Sequence, residues 1–182
     1  PLAEVPFPIY DLAFDGTDRL WAATGGGALL ELDAATGAIR RQFGDGLTQA
    51  LAVHPETGEI YVSSSNGIEI FSPVTQAFRH FSDLRVGSLA FEPSTLDSRP
   101  STLWAVTWPH VRNQIVRFDS QAKPQRMLSL SADIVSLAFG APGTRLDGLL
   151  FISHNRSAVT RVGRELPGGT ELTVVDLATM QQ

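Results

Sequence analysis

A pattern of apolar blocks recurs four times along the chain, and this internal repeat constrains the fold more than any other feature of the sequence. Each unit opens with a Leu-Ala block, and successive blocks are offset by 39, 38 and 48 residues. These opening blocks are residues 12–14, 51–53, 89–91 and 137–139. The second blocks are 20–24, 60–64, 103–107 and 150–154, and the third are 29–33, 68–72, 115–119 and 172–176. A weaker fourth block closes the first three units. Such agreement in order predicts four copies of one supersecondary unit.

Each block has the character of a short β-strand. The blocks are rich in branched and aromatic residues, several alternate apolar and polar positions, and turn residues bound all of them. The turns include Asp15-Gly16 and Asn66-Gly67, which supply the positive φ angles of tight turns. Charged residues make up only 18% of the chain, while it contains 16 Gly and 11 Pro. The sequence therefore predicts an all-β protein with little helix.

Four antiparallel strands in about 40 residues match one blade of a β-propeller. Small residues suit an innermost strand, where space near the axis is limited, and the opening blocks contain Ala13, Ala52, Ala90 and Ala138. Residues 12–37 carry the motif LAFD…LWAAT…LLELDAATG. In this motif the chain resembles bacterial propeller repeats of the NHL, YVTN and two-component-regulator types, over essentially all 182 residues. The resemblance implies four blades of four antiparallel strands, in a four-bladed ring, in part of a larger propeller or in a segment of a larger surface protein.

We predict a single propeller domain or segment with a leading strand before the first blade. The leading strand is expected at 2–7, blade 1 at about 9–43, blade 2 at about 48–81, blade 3 at about 86–130 and blade 4 at about 134–182. Blade 4 lacks its last strand unless 2–7 supplies it and closes the ring. Alternatively, the chain is cut from a larger ring, as its start at Pro1 favours. The remaining blades of a parent propeller, or a second copy, would then be its partners.

The loops between the second and third strands of units 3 and 4 are the predicted binding site. They are longer than those of units 1 and 2, and their blades are adjacent, so they can form one surface. A Trp offers stacking area, an Arg binds a carboxylate, sulfate or sugar acid, and an Asn orients a ligand. The candidates are Trp108, His110, Arg112, Asn113, His154, Asn155 and Arg156. The expected partner is a protein or a small anionic or carbohydrate ligand on this loop face. In the alternative interpretation, Trp108 only caps the core and Arg112 is solvated.

Three aspartates precede opening blocks and would enter the same face near the axis. Asp45, Asp83 and Asp133 could together hold Ca²⁺ through their oxygens, although no continuous Asp-x-Asp-x-Asp-Gly loop is present. Asp is also a common turn residue that binds its own backbone. We therefore expect no cofactor and keep Ca²⁺ as the alternative.

Composition excludes several classes of function. The chain has no cysteine, which excludes disulfides and thiolate sites, and its net charge of -5 argues against broad nucleic-acid binding. No apolar stretch is long enough to span a membrane, and no zinc-protease or serine-hydrolase motif occurs.

The sequence favours a noncatalytic ligand- or protein-binding module. It is expected in a bacterial periplasmic, secreted or cell-surface protein. A metal-dependent, lactonase-like hydrolase of the propeller type is one alternative. A purely structural spacer in a large adhesin is the other.

Overall fold

The chain is an all-β protein, as the repeat predicts. The computed structural model describes residues 8–25, 27–44, 46, 48–94, 101–155 and 170–181. These residues form fifteen strands in four separate antiparallel sheets and contain no helix. Accordingly, no membrane-crossing helix is found in the described part of the chain. The predicted arrangement of four blades is confirmed.

Each sheet is one blade, and its strands follow one another in sequence order. Blade 1 comprises β1 (Ile9–Phe14), β2 (Leu20–Thr24), β3 (Leu29–Leu32) and β4 (Ile39–Phe43). Blade 2 comprises β5 (Leu51–Val53), β6 (Ile60–Ser64), β7 (Gly67–Ser72) and β8 (Ala77–Ser82). Blade 3 comprises β9 (Val86–Glu92), β10 (Thr102–Thr107), β11 (Gln114–Phe118) and β12 (Pro124–Ser129). Blade 4 comprises β13 (Ile134–Phe139), β14 (Leu149–Asn155) and β15 (Thr170–Asp176). The predicted leading strand at 2–7 lies outside the described residues.

The pairing register between the first two strands is the same in every blade. The Ala of each opening block faces an aromatic residue across the pair, so a small side chain always makes room for a large one. The four pairs are Ala13 with Trp21, Ala52 with Tyr61, Ala90 with Trp104 and Ala138 with Phe151. The repeat therefore preserves packing geometry as well as strand order.

Three of the four hydrophobic clusters of the described residues lie between blades, where one sheet packs against the next, and the fourth, around Ala22, Leu30 and Leu32, belongs to blade 1. We call the face of a blade that meets the following blade its trailing face, and the face that meets the preceding blade its leading face. The aromatic residue of the second strand lies on the trailing face, and the Leu of the inner strand lies on the leading face. Trp21 packs with Leu51 between blades 1 and 2, Tyr61 with Leu89 between blades 2 and 3, and Trp104 with Leu137 between blades 3 and 4. Burial of each such side chain contributes about 1.5–3 kcal/mol to folding.

Candidate functional site

The inner strands of blades 1, 3 and 4 begin with a register irregularity, and blade 2 has a related hydrogen-bond pattern just before β5. In blades 1, 3 and 4 the register shifts by one residue near the start of the strand, which leaves one extra residue unpaired. In blade 2, Ser63 bonds to two successive residues, because it donates its N–H to Ala50 and accepts one from Gln49. Such bulges redirect a side chain out of the sheet. The four residues at these points are Tyr10, Gln49, Gly87 and Val135.

Two neighbouring cavities open where these bulges meet the loops between the second and third strands. One, of about 290 Å³, is lined by Tyr10, Gln49, Gly87 and Trp108. The other, of about 170 Å³, is lined by Gly87, Val106, Trp108, Arg112, Asp133, Ile134, Val135 and Asn155. Both cavities share Gly87 and Trp108, so they form one continuous depression across the blades. We call this depression the axial groove.

Trp108 is fixed at the junction of the two cavities. Its backbone N–H donates to the carbonyl of Arg85 at 3.0 Å. Its ring lies close to Gly87, where a Cβ atom would come within 3.3 Å of Cε3. The guanidinium carbon of Arg112 lies 3.9 Å from the ring centroid, which is a cation–π contact. Gly87 therefore provides a floor for the indole ring, and Arg112 covers it.

Arg112 is held in place without being neutralised by a close ion pair. Its Nε donates to the carbonyl of Pro109 at 2.9 Å. Its Nη1 lies 4.0 Å from Oδ2 of Asp133, and both side chains are exposed to solvent. This separation is too long for a hydrogen bond, so Arg112 and Asp133 form a loose, solvent-exposed ion pair in which the Nη atoms of Arg112 keep donor capacity.

Backbone hydrogen bonds join the loops of blades 3 and 4 beside the groove. Ile134 donates its N–H to the carbonyl of Arg112 at 2.8 Å, and Asn155 donates to the carbonyl of Asp133 at 2.9 Å. The structure therefore brings together Trp108, Arg112 and Asn155, three of the residues singled out in the sequence, on two adjacent blades.

Other predicted binding residues lie elsewhere. His110 is exposed in its loop and does not line either cavity of the axial groove. Asn113 donates from Nδ2 to the carbonyl of Leu130 at 2.8 Å, so its amide holds the end of β12. His154 is buried, with its ring nitrogens 3.2 Å from the carbonyl of Asn155 and 2.9 Å from Oγ1 of Thr173. Arg156 lies outside the described residues.

Of the three predicted metal-binding aspartates, the structure describes Asp83 and Asp133, and these two have different neighbours. Asp133 lies in the axial groove beside Arg112, whereas the fully exposed Asp83 lies 3.3 Å from Nε2 of His80. Asp45 lies outside the described residues. Within the described part of the chain, no group of three or more His, Asp or Glu side chains is arranged to hold a metal ion.

Asp11 stands next to the groove but binds backbone. It accepts the N–H of Leu51 at 3.0 Å and that of Leu12 at 2.9 Å, and it thereby links blade 1 to blade 2. Burial raises the pKa of Asp11, although these two hydrogen bonds act in the opposite direction. Its carboxylate therefore acts as an interblade connector in this structure.

The four bulge residues were not predicted from the sequence. Each lies two positions before the Leu of its opening block. At that position the side chain changes between Tyr, Gln, Gly and Val, whereas the Leu and Ala of the block are the same in all four units. A variable position within a constant repeat was the available signal.

Comparison with solved structures identifies the architecture, whereas sequence comparison does not. No protein family matches the sequence. No curated protein matches it either. The structure of the RRP9 WD40 repeats aligns with 96% of this chain at a TM-score of 0.63 and 12% identity. An auxiliary nutrient-binding protein from Bacteroides thetaiotaomicron aligns with 81% at 0.62 and 10% identity. The virginiamycin B lyase of Staphylococcus aureus aligns with 93% at 0.57 and 12% identity.

The fold is that of a β-propeller. The chain spans 52%, 38% and 57%, respectively, of these three solved proteins. At such low identity the likeness concerns the fold alone, because propellers carry many unrelated functions.

Proposed function

We propose that this propeller is a noncatalytic binding module and that its axial groove receives the ligand. The observation that carries the proposal is the position of Trp108, fixed between Gly87 and Arg112 where the two cavities join. Concave sites with aromatic walls and a few oriented polar groups are typical of ligand binding. A rigid scaffold with function at its loops is also the usual arrangement in such folds.

The groove suits a small ligand that combines a ring or apolar body with an anionic group. Arg112 can donate two parallel hydrogen bonds to a carboxylate or sulfate. Tyr10 and Trp108 offer apolar ring surface, and the amides of Gln49 and Asn155 can donate to or accept from hydroxyl groups. A sugar acid within an oligosaccharide has all of these properties. The ligand class we propose is therefore an acidic carbohydrate.

The cellular setting belongs to the same proposal. The fold is shared with a bacterial nutrient-binding protein and with a bacterial lyase, so the fold itself is compatible with both binding and catalysis. We place the module in a bacterial extracytoplasmic or cell-surface protein, where acidic carbohydrates are available as ligands. The absence of cysteine is compatible with this placement.

The test is calorimetric titration with oligogalacturonate, with the corresponding neutral oligogalactoside as the comparison ligand. Wild-type protein should bind the acidic ligand and discriminate against the neutral one. Arg112→Gln and Trp108→Ala should each weaken acidic-ligand binding by about tenfold or more, since a charge-assisted hydrogen bond or a buried aromatic contact contributes 1–3 kcal/mol.

Arg79→Gln is the matched control. Arg79 forms an exposed ion pair with Glu59 on the outer strand of blade 2 and lies outside the groove. The affinity of Arg79→Gln for the acidic ligand should equal that of the wild type. Equal binding of the acidic and neutral ligands, or unchanged affinity in the Arg112 and Trp108 variants, would contradict the proposal.

A further inference from the structure

A second cavity, of about 240 Å³, lies between blades 2 and 3 and shares no lining residue with the axial groove. It lies beside the ends of β5 and β11 and the start of β10. Five of the ten described residues that line it carry rings, and we call it the aromatic cavity. These five are His54, Tyr61, Phe81, Phe91 and Phe118. Rings therefore make up half of its described wall.

The five rings form a continuous series along the wall of the cavity. From His54 the series passes to Phe91 and then to Tyr61, with centroids 4.8 and 5.0 Å apart. It continues to Phe81 and Phe118, at 5.1 and 5.2 Å. Successive rings are turned by 58–82° relative to each other. Because the rings differ this much in orientation, the wall presents ring faces as well as ring edges, and a ring face carries negative potential.

The corresponding rings between blades 1 and 2 pack directly on one another. Each set takes one ring from the second strand of a blade, one from its outer strand and one from the third strand of the following blade: Trp21, Phe43 and Phe71 in one set, and Tyr61, Phe81 and Phe118 in the other. In the first set the centroids lie 4.6–5.9 Å apart, and Trp21 and Phe71 are 1% and 0% exposed. Tyr61 is smaller than the Trp that holds its position in blade 1, and the space beside it remains open. The aromatic cavity therefore distinguishes two interfaces that are built from the same repeat.

A carboxylate forms part of the wall. Oδ1 of Asp119 accepts the backbone N–H groups of Lys123 and Gln121 at 3.0 and 2.9 Å, and these hydrogen bonds lower the pKa of Asp119. Its Oδ2 lies 3.5 Å from Nε2 of Gln125, which is longer than an ordinary hydrogen bond. Asp119 is therefore ionised at neutral pH, and one of its oxygens keeps acceptor capacity.

A second carboxylate stands beside the cavity, and none of the ten described lining residues is Lys or Arg. Glu56 accepts the hydroxyl of Ser101, a lining residue, at 2.8 Å, and this hydrogen bond lowers the pKa of Glu56. Nδ1 of His54 accepts the backbone N–H of Glu56 at 3.3 Å, so this ring is neutral in the structure. Arg79, on the outer strand of blade 2, donates to both carboxylate oxygens of Glu59 at 2.8 Å. The described wall thus combines aromatic faces with negative charge.

We propose that the aromatic cavity binds a small organic cation of the trimethylammonium class, such as choline. Ring faces attract such a cation through their quadrupoles, and its methyl groups pack on the rings. Asp119 and Glu56 supply the complementary charge. The cavity is slightly smaller than a typical drug-sized pocket, which favours a small molecule. This site is separate from the axial groove and takes a ligand of the opposite charge.

Calorimetric titration of the wild type compares choline with its uncharged analogue, in which a carbon atom replaces the nitrogen. The two ligands have nearly the same shape, so their affinities differ through the attraction of the charge to rings and carboxylates. Choline should bind about tenfold more tightly, in a titration that extends to about 10 mM. Equal affinity for the two ligands, or no choline binding in this range, overturns the proposal.

Two further ligands test the role of the carboxylates and the source of the cation. Glycine betaine carries the same trimethylammonium group together with a carboxylate, which Asp119 and Glu56 would repel, so it should bind more weakly than choline. Equal binding of betaine and choline would contradict the role of the two acids. A peptide that contains trimethyl-lysine tests a protein source. If this peptide binds more tightly than choline, the choice of a free small molecule is wrong.

Two substitutions locate the site. Phe81→Leu keeps an apolar side chain but removes a ring face, and Asp119→Asn removes the charge while it keeps an acceptor for the turn. Each should weaken choline binding by about threefold and reduce the preference for choline over the uncharged analogue. The preference is the decisive readout, because a general disturbance of the cavity would weaken both ligands alike.

Each variant has a matched control. Phe43→Leu removes a ring from the corresponding set between blades 1 and 2. Asp176→Asn changes an acid that accepts the backbone N–H groups of the corresponding turn in blade 4. Both controls should bind choline as the wild type does, and circular dichroism establishes that every variant is folded. An unchanged preference in Phe81→Leu and Asp119→Asn, or an equal loss in the controls, overturns the proposed site. If a variant does not fold, the comparison of ligands on the wild type still decides.

Discussion

Blades 1 and 3 end their inner strands differently from blades 2 and 4. In blade 1, Nε1 of Trp21 donates to Oδ2 of Asp15 at 2.9 Å; in blade 3, Nε1 of Trp104 donates to Oε2 of Glu92 at 2.8 Å. In both, the acid directly follows the opening block. The indole ring is buried in the interblade core while its N–H reaches a carboxylate at the end of the strand.

Blades 2 and 4 lack both members of this pair. Blade 2 has His54 where the acid would be and Tyr61 in place of Trp, whereas blade 4 has Gly140 and Phe151. At Gly140 a Cβ atom would lie only 1.8 Å from the carbonyl oxygen of Leu146, so a carboxylate cannot be accommodated. The indole and its acceptor change together because a buried N–H without a partner is costly.

The largest expected effect comes from truncating the aromatic residue in a blade of each kind. Trp104→Ala should lower the free energy of unfolding by about 3–5 kcal/mol, since it opens a cavity in the core and leaves the carboxylate of Glu92 without its hydrogen-bond donor. Phe151→Ala should cost only about 1 kcal/mol because Phe151 is partly exposed and has no polar partner to lose. Urea denaturation followed by circular dichroism measures both. Equal losses would show that the carboxylate pair adds nothing to blade 3.

A smaller effect is expected when the acid alone is changed in blade 1. Burial by itself would raise the pKa of Asp15, but hydrogen bonds from Trp21, Thr17 and the backbone of Arg19 outweigh it and lower the pKa from 3.8 to about 2. A carboxyl group whose pKa is lower in the folded than in the unfolded state stabilises the fold at pH values above its unfolded-state pKa. This contribution is lost as the pH falls towards 2. Asp15→Asn should cost about 1–3 kcal/mol at pH 7.

The pH dependence is the sharper part of this prediction. Between pH 4 and pH 2 the wild type should lose more stability than Asp15→Asn, because the variant has no charge there to titrate. Asp18→Asn, in the same turn but exposed, is the control and should follow the wild type. The measurement is the urea midpoint at several pH values. If Asp15→Asn loses as much stability as the wild type between pH 4 and pH 2, a group other than Asp15 causes the acid dependence.

The smallest expected effect is a gain from building the missing pair into blade 2. A cavity of about 240 Å³ borders His54 and Tyr61, which leaves room for a larger ring. His54→Asp should still accept the backbone N–H groups of Glu56 and Thr57 that His54 Nδ1 now accepts at 3.3 Å. His54→Asp combined with Tyr61→Trp should raise the free energy of unfolding by about 1 kcal/mol.

A double-mutant cycle decides whether the gain belongs to the pair. Tyr61→Trp alone should be neutral or destabilising, since its N–H would lack a carboxylate, and His54→Asp alone should give no gain. If the two single effects simply add up to the double effect, the coupling between indole and carboxylate is absent in blade 2.

The fold could be predicted because four copies of one strand pattern are compatible with few architectures. The Leu-Ala block repeats at nearly constant spacing, and its small Ala opposite an aromatic residue satisfies the same packing requirement in each blade. The Asp15–Trp21 pair was not foreseen. The two residues are six positions apart, and only the hairpin between β1 and β2 brings them into contact. The sequence pattern predicts a turn role for Asp15, and its Oδ1 does also accept the backbone N–H groups of Thr17 and Arg19.

The candidate site was only partly predictable for a similar reason. Trp108, Arg112 and Asn155 could be grouped because their blades are consecutive. The side-chain direction at a strand end depends on register, and a shift of one residue reverses it. For this reason Tyr10 turns into the groove at a bulge, while His154, at the end of β14, turns inward and binds Thr173.

The placement of the three tryptophans gives the protein two independent optical reporters. Trp21 and Trp104 are each 1% exposed inside the interblade cores, so their emission responds mainly to loss of the folded packing. Trp108 is only partly buried and lies at the junction of the axial groove, under a guanidinium group. A ligand that enters the groove therefore changes the quenching of one indole and leaves the other two unchanged. Occupancy and unfolding can be followed separately in the same unlabelled sample.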